Sequence, residues 1–164
     1  LNTVSVSAKR GWHNVYLGLG SNLGDKGENI KEAIKLLDSE EDCRVVRVSS
    51  LRNTKPLGYV EQDDFLNAAL YMQTILPPND ILSLIASIEK ELRRERIVHW
   101  GPRTIDVDIL LYDEKIILTA ELTIPHIEMA NREFVLEPMV EIAPWIRHPV
   151  LDKTMDELLK ELKG

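Results

Sequence analysis

The sequence is poor in the residues that form disulfides and protein-made metal cages. It contains one cysteine, Cys43, and four histidines in 164 residues. A single cysteine excludes an intramolecular disulfide and a Cys-x-x-Cys redox or zinc motif, and so few histidines do not favour a zinc site made by the protein alone. We expect Cys43 to be a small buried side chain at the start of a strand.

Excess positive charge and long apolar runs are also missing. The 20 lysines and arginines face 27 aspartates and glutamates, which gives a net charge of −7. Such a balance does not favour binding to nucleic acid or to an anionic membrane surface. No apolar run is long enough to predict a transmembrane helix, and no targeting signal is recognisable at the N-terminus, so we expect a cytoplasmic protein.

The length fits one domain with a hydrophobic core of its own. We assign residues 14–164 to this domain and residues 1–13 to an N-terminal tail or linker. Residues 3–8 alternate as a short strand does, and residues 9–11 form a turn outside the main pattern.

Segments with strand-like and helix-like apolar patterns follow one another along the main domain. An apolar run predicts a strand at residues 15–19, and a valine-rich segment predicts another at 44–51. Alternation predicts strands at residues 65–74 and 104–112. Apolar stripes predict one helix after Asp25, with Glu28 in a capping box, and a second helix capped by Asn79. We interpret residues 53–64 as a loop.

The order β-α-β-β-α-β predicts an α+β fold of the ferredoxin-like type, with one antiparallel sheet and the helices packed on it. A C-terminal extension follows. It holds a short strand near residues 115–118, a turn at Pro125 and His126, a short helical segment, and a final helix with a capping box at Thr154 and Glu157.

Asp106 and Asp108 lie inside the last core strand with Val107 between them. Side chains alternate in a strand, so both carboxylates point to the same face, with their Cβ atoms roughly 6–7 Å apart. Two carboxylates that close repel each other, and a divalent cation would relieve the repulsion. Mg²⁺ prefers one or two carboxylates together with phosphate oxygens. The alternative is an exposed strand face with solvated acids.

The segment before this strand is basic, because residues 93–103 hold four arginines and one glutamate. Arginine is well suited to binding phosphate through two parallel hydrogen bonds. A solvated helix end would explain Arg93 and Arg94. It would leave Arg96, Arg103 and the indole of Trp100 unexplained, so we interpret the segment as a polyphosphate-binding loop beside a metal-binding strand.

Two further patterns resemble small-molecule sites. Phe65 and Asn67 share a strand face, and an aromatic ring beside a carboxamide suits a flat heterocycle. The alternative is an aromatic ring that covers a second small core. The run from Gly18 to Gly24 reads GxGxxxG, one residue longer than the dinucleotide-binding fingerprint. We interpret its glycines as a site of close backbone packing and a tight turn rather than as a phosphate cradle.

Five segments together resemble the 6-hydroxymethyl-7,8-dihydropterin pyrophosphokinase family. They are Tyr-Leu-Gly-Leu-Gly-Ser-Asn-Leu-Gly at 16–24, Thr-Lys-Pro-Leu-Gly at 54–58, Phe-Leu-Asn-Ala-Ala at 65–69, Trp-Gly-Pro-Arg-Thr-Ile-Asp-Val-Asp at 100–108, and Ile-Pro-His at 124–126 with Asn-Arg-Glu-Phe at 131–134. The resemblance covers roughly residues 14–162, and the segment at 100–108 is the most specific. It implies a ferredoxin-like fold.

The resemblance also implies a reaction. The hydroxymethyl oxygen of the pterin attacks the β-phosphorus of ATP, a pyrophosphoryl group is transferred, and AMP leaves, as a step of folate biosynthesis. Mg²⁺, expected as two ions, would be held by Asp106 and Asp108. The expected partners are these small-molecule substrates.

The resemblance assigns the other site residues by position. Phosphate-binding and catalytic roles fall to Arg94, Arg96 and Arg103, besides Asp106 and Asp108. The positions that match ATP contacts are Glu89, Arg96, Trp100, Arg103, Ile109, Thr123, His126 and Arg132. The positions that match pterin contacts are Thr54, Lys55, Leu57, Phe65, Asn67, Trp100 and Phe134.

Other interpretations remain open at this point. An oxidoreductase that binds a dinucleotide at Gly18–Gly24 would not need the two aspartates. A ferredoxin-like module that senses a ligand would tolerate the loss of Asp108. The alternation at residues 3–8 resembles the end of a dihydroneopterin aldolase domain, so a fusion to such a domain is a further hypothesis.

Overall fold

The computed structural model describes residues 11–55, 64–95 and 105–164. The strands are β1 His13–Ser21, β2 Cys43–Val48, β3 Arg52–Thr54, β4 Phe65–Thr74, β5 Asp106–Tyr112, β6 Ile117–Leu118 and β7 Thr123–Ile124. The helices are α1 Lys26–Asp38, α2 Pro78–Glu95, α3 Glu133–Ile142 and α4 Met155–Lys163, with a 3₁₀ turn at Met129–Asn131 before α3.

One antiparallel sheet organises the domain. Its strand order is β2-β4-β1-β5, and β3 pairs with the end of β4 that β2 leaves free. The crossovers from β1 to β2 and from β4 to β5 contain α1 and α2. This is the ferredoxin-like arrangement that the periodicity predicts. The small sheet of β6 and β7 follows β5.

Each face of the sheet has its own hydrophobic core. On one face, Leu17, Leu70 and Val107 pack with the apolar stripes of α1 and α2. On the other face, Tyr16 and Ala69 pack with α3 and α4 of the C-terminal extension. The C-terminal extension therefore covers part of the second face of the sheet.

Side-chain caps explain where two of the helices begin. The Asp25 carboxylate accepts a hydrogen bond from the backbone N–H of Glu28, 3.2 Å away, at the start of α1. Thr154 and Glu157 form the complete capping box at the start of α4. Each satisfies backbone N–H groups that have no partner inside the helix.

Two sequence-based predictions need correction, and a third is not tested. The helix α2 begins at Pro78, so Asn79 lies inside the helix and is not its cap. Proline suits a first helical position because the N–H that it lacks would have no partner there. Residues 52–54 form β3 rather than a loop, since they pair with the start of β4. The predicted strand at residues 3–8 lies outside the described residues.

Among the described residues, no helix has both the length and the apolar composition that a membrane span needs.

His148 lies in the C-terminal extension, and we expect its protonation to oppose folding. Its side chain is buried, and Nδ1 accepts hydrogen bonds from the backbone N–H groups of Val150 and Leu151, at 3.2 and 3.1 Å. Burial lowers the pKa of His148. The folded state therefore binds fewer protons than the unfolded state around the ordinary histidine pKa, and stability falls as the pH drops through that range.

We predict that the free energy of unfolding of the wild type declines between about pH 7 and pH 5. His148→Asn should flatten this decline, because an amide oxygen can accept the same two hydrogen bonds without titrating. Urea unfolding at a series of pH values measures both proteins. Parallel curves for the two proteins would show that His148 does not cause the decline.

Candidate functional site

Two glycines on the central strand leave an open trough on the sheet. Gly18 lies opposite Ala69 on β4 and Asp108 on β5, and Gly20 lies opposite Asn67 and Asp106. Residues in register across a sheet point to the same face. The two rows therefore place Asn67 and the aspartates on one face, with no side chain on β1 between them.

The trough is the floor of a cavity of about 380 Å³. The end of β3, the start of α3 and three strands of the sheet surround it. The lining residues are Gly18, Leu19, Gly20, Thr54, Lys55, Phe65, Asn67, Ala68, Ala69, Asp106, Asp108, Leu110, Arg132, Phe134 and Val135. An apolar wall with a few polar groups that point inward is typical of a small-molecule site.

The apolar wall holds both phenylalanines of the sequence, Phe65 and Phe134. Phe65 begins β4 and Phe134 lies in the first turn of α3. The guanidinium carbon of Arg132 is 5.6 Å from the centre of the Phe134 ring, within the range of a cation–π contact. A flat heterocycle in this cavity would have aromatic surfaces from two different elements available for stacking.

The amide of Asn67 has a fixed orientation in the cavity. Asn67 is buried, and its Nδ2 donates a 2.6 Å hydrogen bond to the hydroxyl of Thr54 on the neighbouring strand β3. A Cβ atom placed on Gly20 would lie 3.1 Å from Asn67 Oδ1. The amide oxygen therefore faces the trough, where it can accept a hydrogen bond from a ligand N–H.

The aspartate pair lies at the opposite side of the trough. Asp106 is half-buried, whereas the Asp108 side chain is 54% exposed. Nε2 of His126 is 4.0 Å from Asp108 Oδ2, and Nδ1 of His126 accepts a 3.1 Å hydrogen bond from the backbone N–H of Glu128. The acceptor role of Nδ1 places the proton of a neutral imidazole on Nε2, the nitrogen that faces Asp108.

A second cavity, of about 450 Å³, lies between α2 and β5. Its lining residues are Leu82, Ile85, Ala86, Glu89, Asp106, Val107 and Asp108. Glu89 Oε2 accepts a 2.9 Å hydrogen bond from the backbone N–H of Val107, which fixes the strand between the two aspartates. Asp106 and Asp108 thus line both cavities.

The structure brings together most of the described residues that the sequence places in the site. Glu89, Arg132 and the predicted heterocycle contacts Thr54, Lys55 and Asn67 all line one of the two cavities. Ile109 is instead buried in the core against the helices, and Thr123, in β7, is not among the lining residues of either cavity. Leu57, Arg96, Trp100 and Arg103 lie outside the described residues, as does the side chain of Arg94.

The sequence did not predict that Gly18 and Gly20 form the floor of the first cavity, which we call the glycine floor. Sequence reasoning explained Gly18 and Gly20 by close backbone packing, and it gave no role to Leu110 or Val135, which also line the first cavity. The alternation of Gly18 and Gly20 on a strand was a usable signal, but only the register with β4 and β5 shows which residues they separate. The turn function holds for Gly24, whose φ is 66°.

Asp106 and Asp108 fit a Mg²⁺ site only if water or substrate oxygens complete the coordination. Within residues 11–55, 64–95 and 105–164, no three His, Cys, Asp or Glu side chains converge as a metal site. Two carboxylates would leave the remaining coordination positions to other oxygens. Mg²⁺ is commonly bound in this way, by one or two carboxylates together with water and phosphate oxygens of a substrate.

Comparison with known proteins shows what this combination of fold and site corresponds to. The model of one protein family, described as 7,8-dihydro-6-hydroxymethylpterin-pyrophosphokinase (HPPK), matches residues 16–144. The chain belongs to the HPPK family. Family membership confirms the resemblance that the sequence motifs carry and the prediction of an α+β fold.

Two relatives show how much of a known protein this chain matches. The chain is 42% identical over 142 residues to the 2-amino-4-hydroxy-6-hydroxymethyldihydropteridine pyrophosphokinase of Bacillus subtilis, and the match covers 87% of this chain and 85% of that protein. It is 46% identical over 127 residues to the bifunctional protein FolKE of Lactococcus lactis, where it covers 77% of this chain and 36% of the relative. The chain thus spans about a third of that longer protein.

A solved structure shares the fold. The HPPK-DHPS of Plasmodium falciparum, solved with pteroate, superimposes with a TM-score of 0.74 at 17% sequence identity. The superposition covers 92% of this chain and 42% of that one. At this identity the likeness supports the HPPK fold and carries no argument about individual side chains.

Proposed function

We propose that the two cavities bind the two substrates of one transfer reaction, with the aspartate pair between them. The observation that carries this proposal is that Asp106 and Asp108 line both cavities. The first cavity, with Phe65, Asn67 and Phe134, suits the pterin ring. The second, with Glu89 and the apolar side of α2, suits the nucleotide.

The chain's own residues position and neutralise the reactants. The phenylalanines stack on the pterin, and the amide oxygen of Asn67 accepts a hydrogen bond from its edge. The bound ring places its hydroxymethyl oxygen near Asp106 and Asp108, where the triphosphate of the nucleotide arrives from the other side. Such positioning is the larger part of catalysis in phosphoryl-type transfer.

In the proposed reaction, the hydroxymethyl oxygen forms a bond to the β-phosphorus of ATP. The bond from that phosphorus to the α–β bridging oxygen breaks, AMP leaves with the bond's electrons, and the proton of the hydroxyl passes to the solvent. Asp106 and Asp108 are the residues that would hold Mg²⁺, which supplies charge neutralisation on the triphosphate when it is bound. Arg132 and His126, with Arg94, Arg96 and Arg103, are proposed to bind the phosphates.

Identification of the nucleotide product tests the transfer. Incubation with Mg²⁺, ATP and 6-hydroxymethyl-7,8-dihydropterin, followed by chromatography, should give AMP and the pterin diphosphate in equal amounts. ADP in place of AMP would mean attack at the γ-phosphorus and would contradict the proposal. A matched incubation without pterin controls for hydrolysis, because AMP that forms equally without pterin would not come from transfer.

The location and any fusion of this activity stay predictions. A cytoplasmic location is supported by the single cysteine and by the small-molecule substrates of the family. The aldolase fusion rests on residues 3–8, which lie outside the described residues. The longer relatives show that other members of the family carry further sequence.

A further inference from the structure

A polar cluster outside both cavities joins the two sides of the first cavity. Glu141, in the last turn of α3, accepts three hydrogen bonds: from the backbone N–H of Ser50 at 2.9 Å, from the Ser50 hydroxyl at 2.8 Å and from Arg52 Nη2 at 2.9 Å. Arg52 begins β3, and Ser50 precedes it by two residues. We call Ser50, Arg52 and Glu141 the β3–α3 clamp.

Glu141 of the clamp lies on the same side of α3 as Phe134, whose ring lines the first cavity. Phe134, Glu137 and Glu141 are spaced i, i+3 and i+7, so they lie along one side of the helix. Glu137 Oε1 is 3.9 Å from Arg52 Nη1, and Glu137 Oε2 is 3.0 Å from Lys163 Nζ at the end of α4. The contacts of Glu137 and Glu141 therefore help to fix the side of α3 that carries Phe134.

On the strand side, the clamp lies in line with the group that orients Asn67. Arg52 and Thr54 are two residues apart on β3, so they point to the same face of the sheet. Thr54 accepts the hydrogen bond from Asn67. The contacts of the clamp thus link α3, which carries Phe134, to β3, which carries the hydrogen-bond partner of Asn67.

The charge on Glu141 is stabilised where it lies. Burial acts to raise the pKa of Glu141, but the hydrogen bonds from the Ser50 backbone, from Arg52 and from the Ser50 hydroxyl outweigh it and lower the pKa. The ion pair is partly buried, with the Arg52 and Glu141 side chains 38% and 34% exposed. Charge-assisted hydrogen bonds from several donors also restrict geometry more than an isolated surface pair does.

We propose that the β3–α3 clamp is a positioning element that sets the distance between Phe134 and the sheet, and so determines how tightly the first cavity holds a flat ring. Arg52 and Glu141 act through Phe134 and Thr54 and do not touch the ligand. The identity of the ring as a pterin rests on the proposed function. The geometric part, a clamp that holds Phe134, does not.

The sequence allows a direct spectroscopic test, because its two phenylalanines both line the cavity. Protein labelled with 4-fluorophenylalanine should give two ¹⁹F resonances, which Phe65→Tyr and Phe134→Tyr assign. Without any substrate, Glu141→Gln and Arg52→Met should shift or broaden the Phe134 resonance more than that of Phe65. Arg147→Met, which removes a surface arginine paired with Asp152 at 3.6 Å, is the matched control and should change neither.

Steady-state kinetics give the second readout. Both clamp variants should raise KM for the pterin about tenfold, since a displacement of a stacking ring by a fraction of an ångström weakens a fitted site. KM for ATP should stay within about twofold of the wild type, because the second cavity does not contact the clamp. Arg52→Lys keeps the charge and should give an intermediate KM for the pterin.

Several outcomes would overturn the proposal. Wild-type ¹⁹F spectra in both clamp variants would show that the clamp does not hold Phe134. Equal increases in both KM values, or a lower melting temperature with unchanged KM values, would make the clamp a general stabiliser only. If the wild type transferred no pyrophosphate, the proposed function would fail, and the substrate-free ¹⁹F spectra would still decide the clamp.

Discussion

Asp106→Asn is expected to lower the rate of AMP formation on the order of 10³-fold while leaving the fold intact. Asparagine has the shape of aspartate, so the strand and its pairing with β1 should persist. It lacks the negative charge that would hold Mg²⁺ between the two cavities. Asp108→Asn should have a similar effect, because Asp108 lines the same two cavities.

A quenched assay at saturating ATP and pterin measures this loss, with circular dichroism to check folding. Asp113→Asn is the matched control, since Asp113 directly follows the other end of β5 and makes its contacts with His13 and with the backbone of Asn14. It should keep a rate close to that of the wild type. Equal losses in Asp106→Asn and Asp113→Asn would show that a general weakening of β5, not a metal site, causes the effect.

The second large effect is expected from one methyl group on the floor of the first cavity. In Gly20→Ala, the new Cβ atom would lie 3.1 Å from Asn67 Oδ1, which is closer than an ordinary van der Waals contact. Asn67 has little freedom to move away because Thr54 holds its amide nitrogen. We therefore expect KM for the pterin to rise roughly 10- to 100-fold, with little change in KM for ATP.

Gly18→Ala provides the comparison for this prediction. It adds the same methyl group to the same face of the same strand, but the nearest atom to its Cβ is Leu110 Cδ1 at 3.5 Å, an ordinary contact. Its effect on KM for the pterin should be clearly smaller than that of Gly20→Ala. If the two variants behaved alike, loss of cavity volume would explain the result and displacement of Asn67 would not.

The sequence predicts the fold well where one periodicity dominates. The alternation at residues 65–74 gives the bounds of β4, and the stripes of α1 and α2 place the first core. The strand β3 was not predicted because three residues are too few to show an alternating pattern. These residues form a strand because they pair with β4. The cap at Asn79 failed because Pro78 already suits a first helical position.

Part of the candidate site is likewise predictable from local sequence patterns, and part of it is not. Local alternation is enough to place Asp106 and Asp108 on one face, and to pair Phe65 with Asn67. The glycine floor and the β3–α3 clamp depend on contacts between residues far apart in sequence, such as Gly20 with Asn67 and Arg52 with Glu141. Such contacts follow from register and helix packing, which no local pattern contains.

The central claim is that the aspartate pair joins a nucleotide cavity to a pterin cavity, and a calorimetric titration with a non-hydrolysable ATP analogue tests it most directly. We predict that the analogue binds the wild type only with Mg²⁺, and that the variant with both Asp106→Asn and Asp108→Asn loses this binding but still binds the pterin. Binding of the analogue that is independent of Mg²⁺ and equal in the wild type and the double variant would contradict the claim.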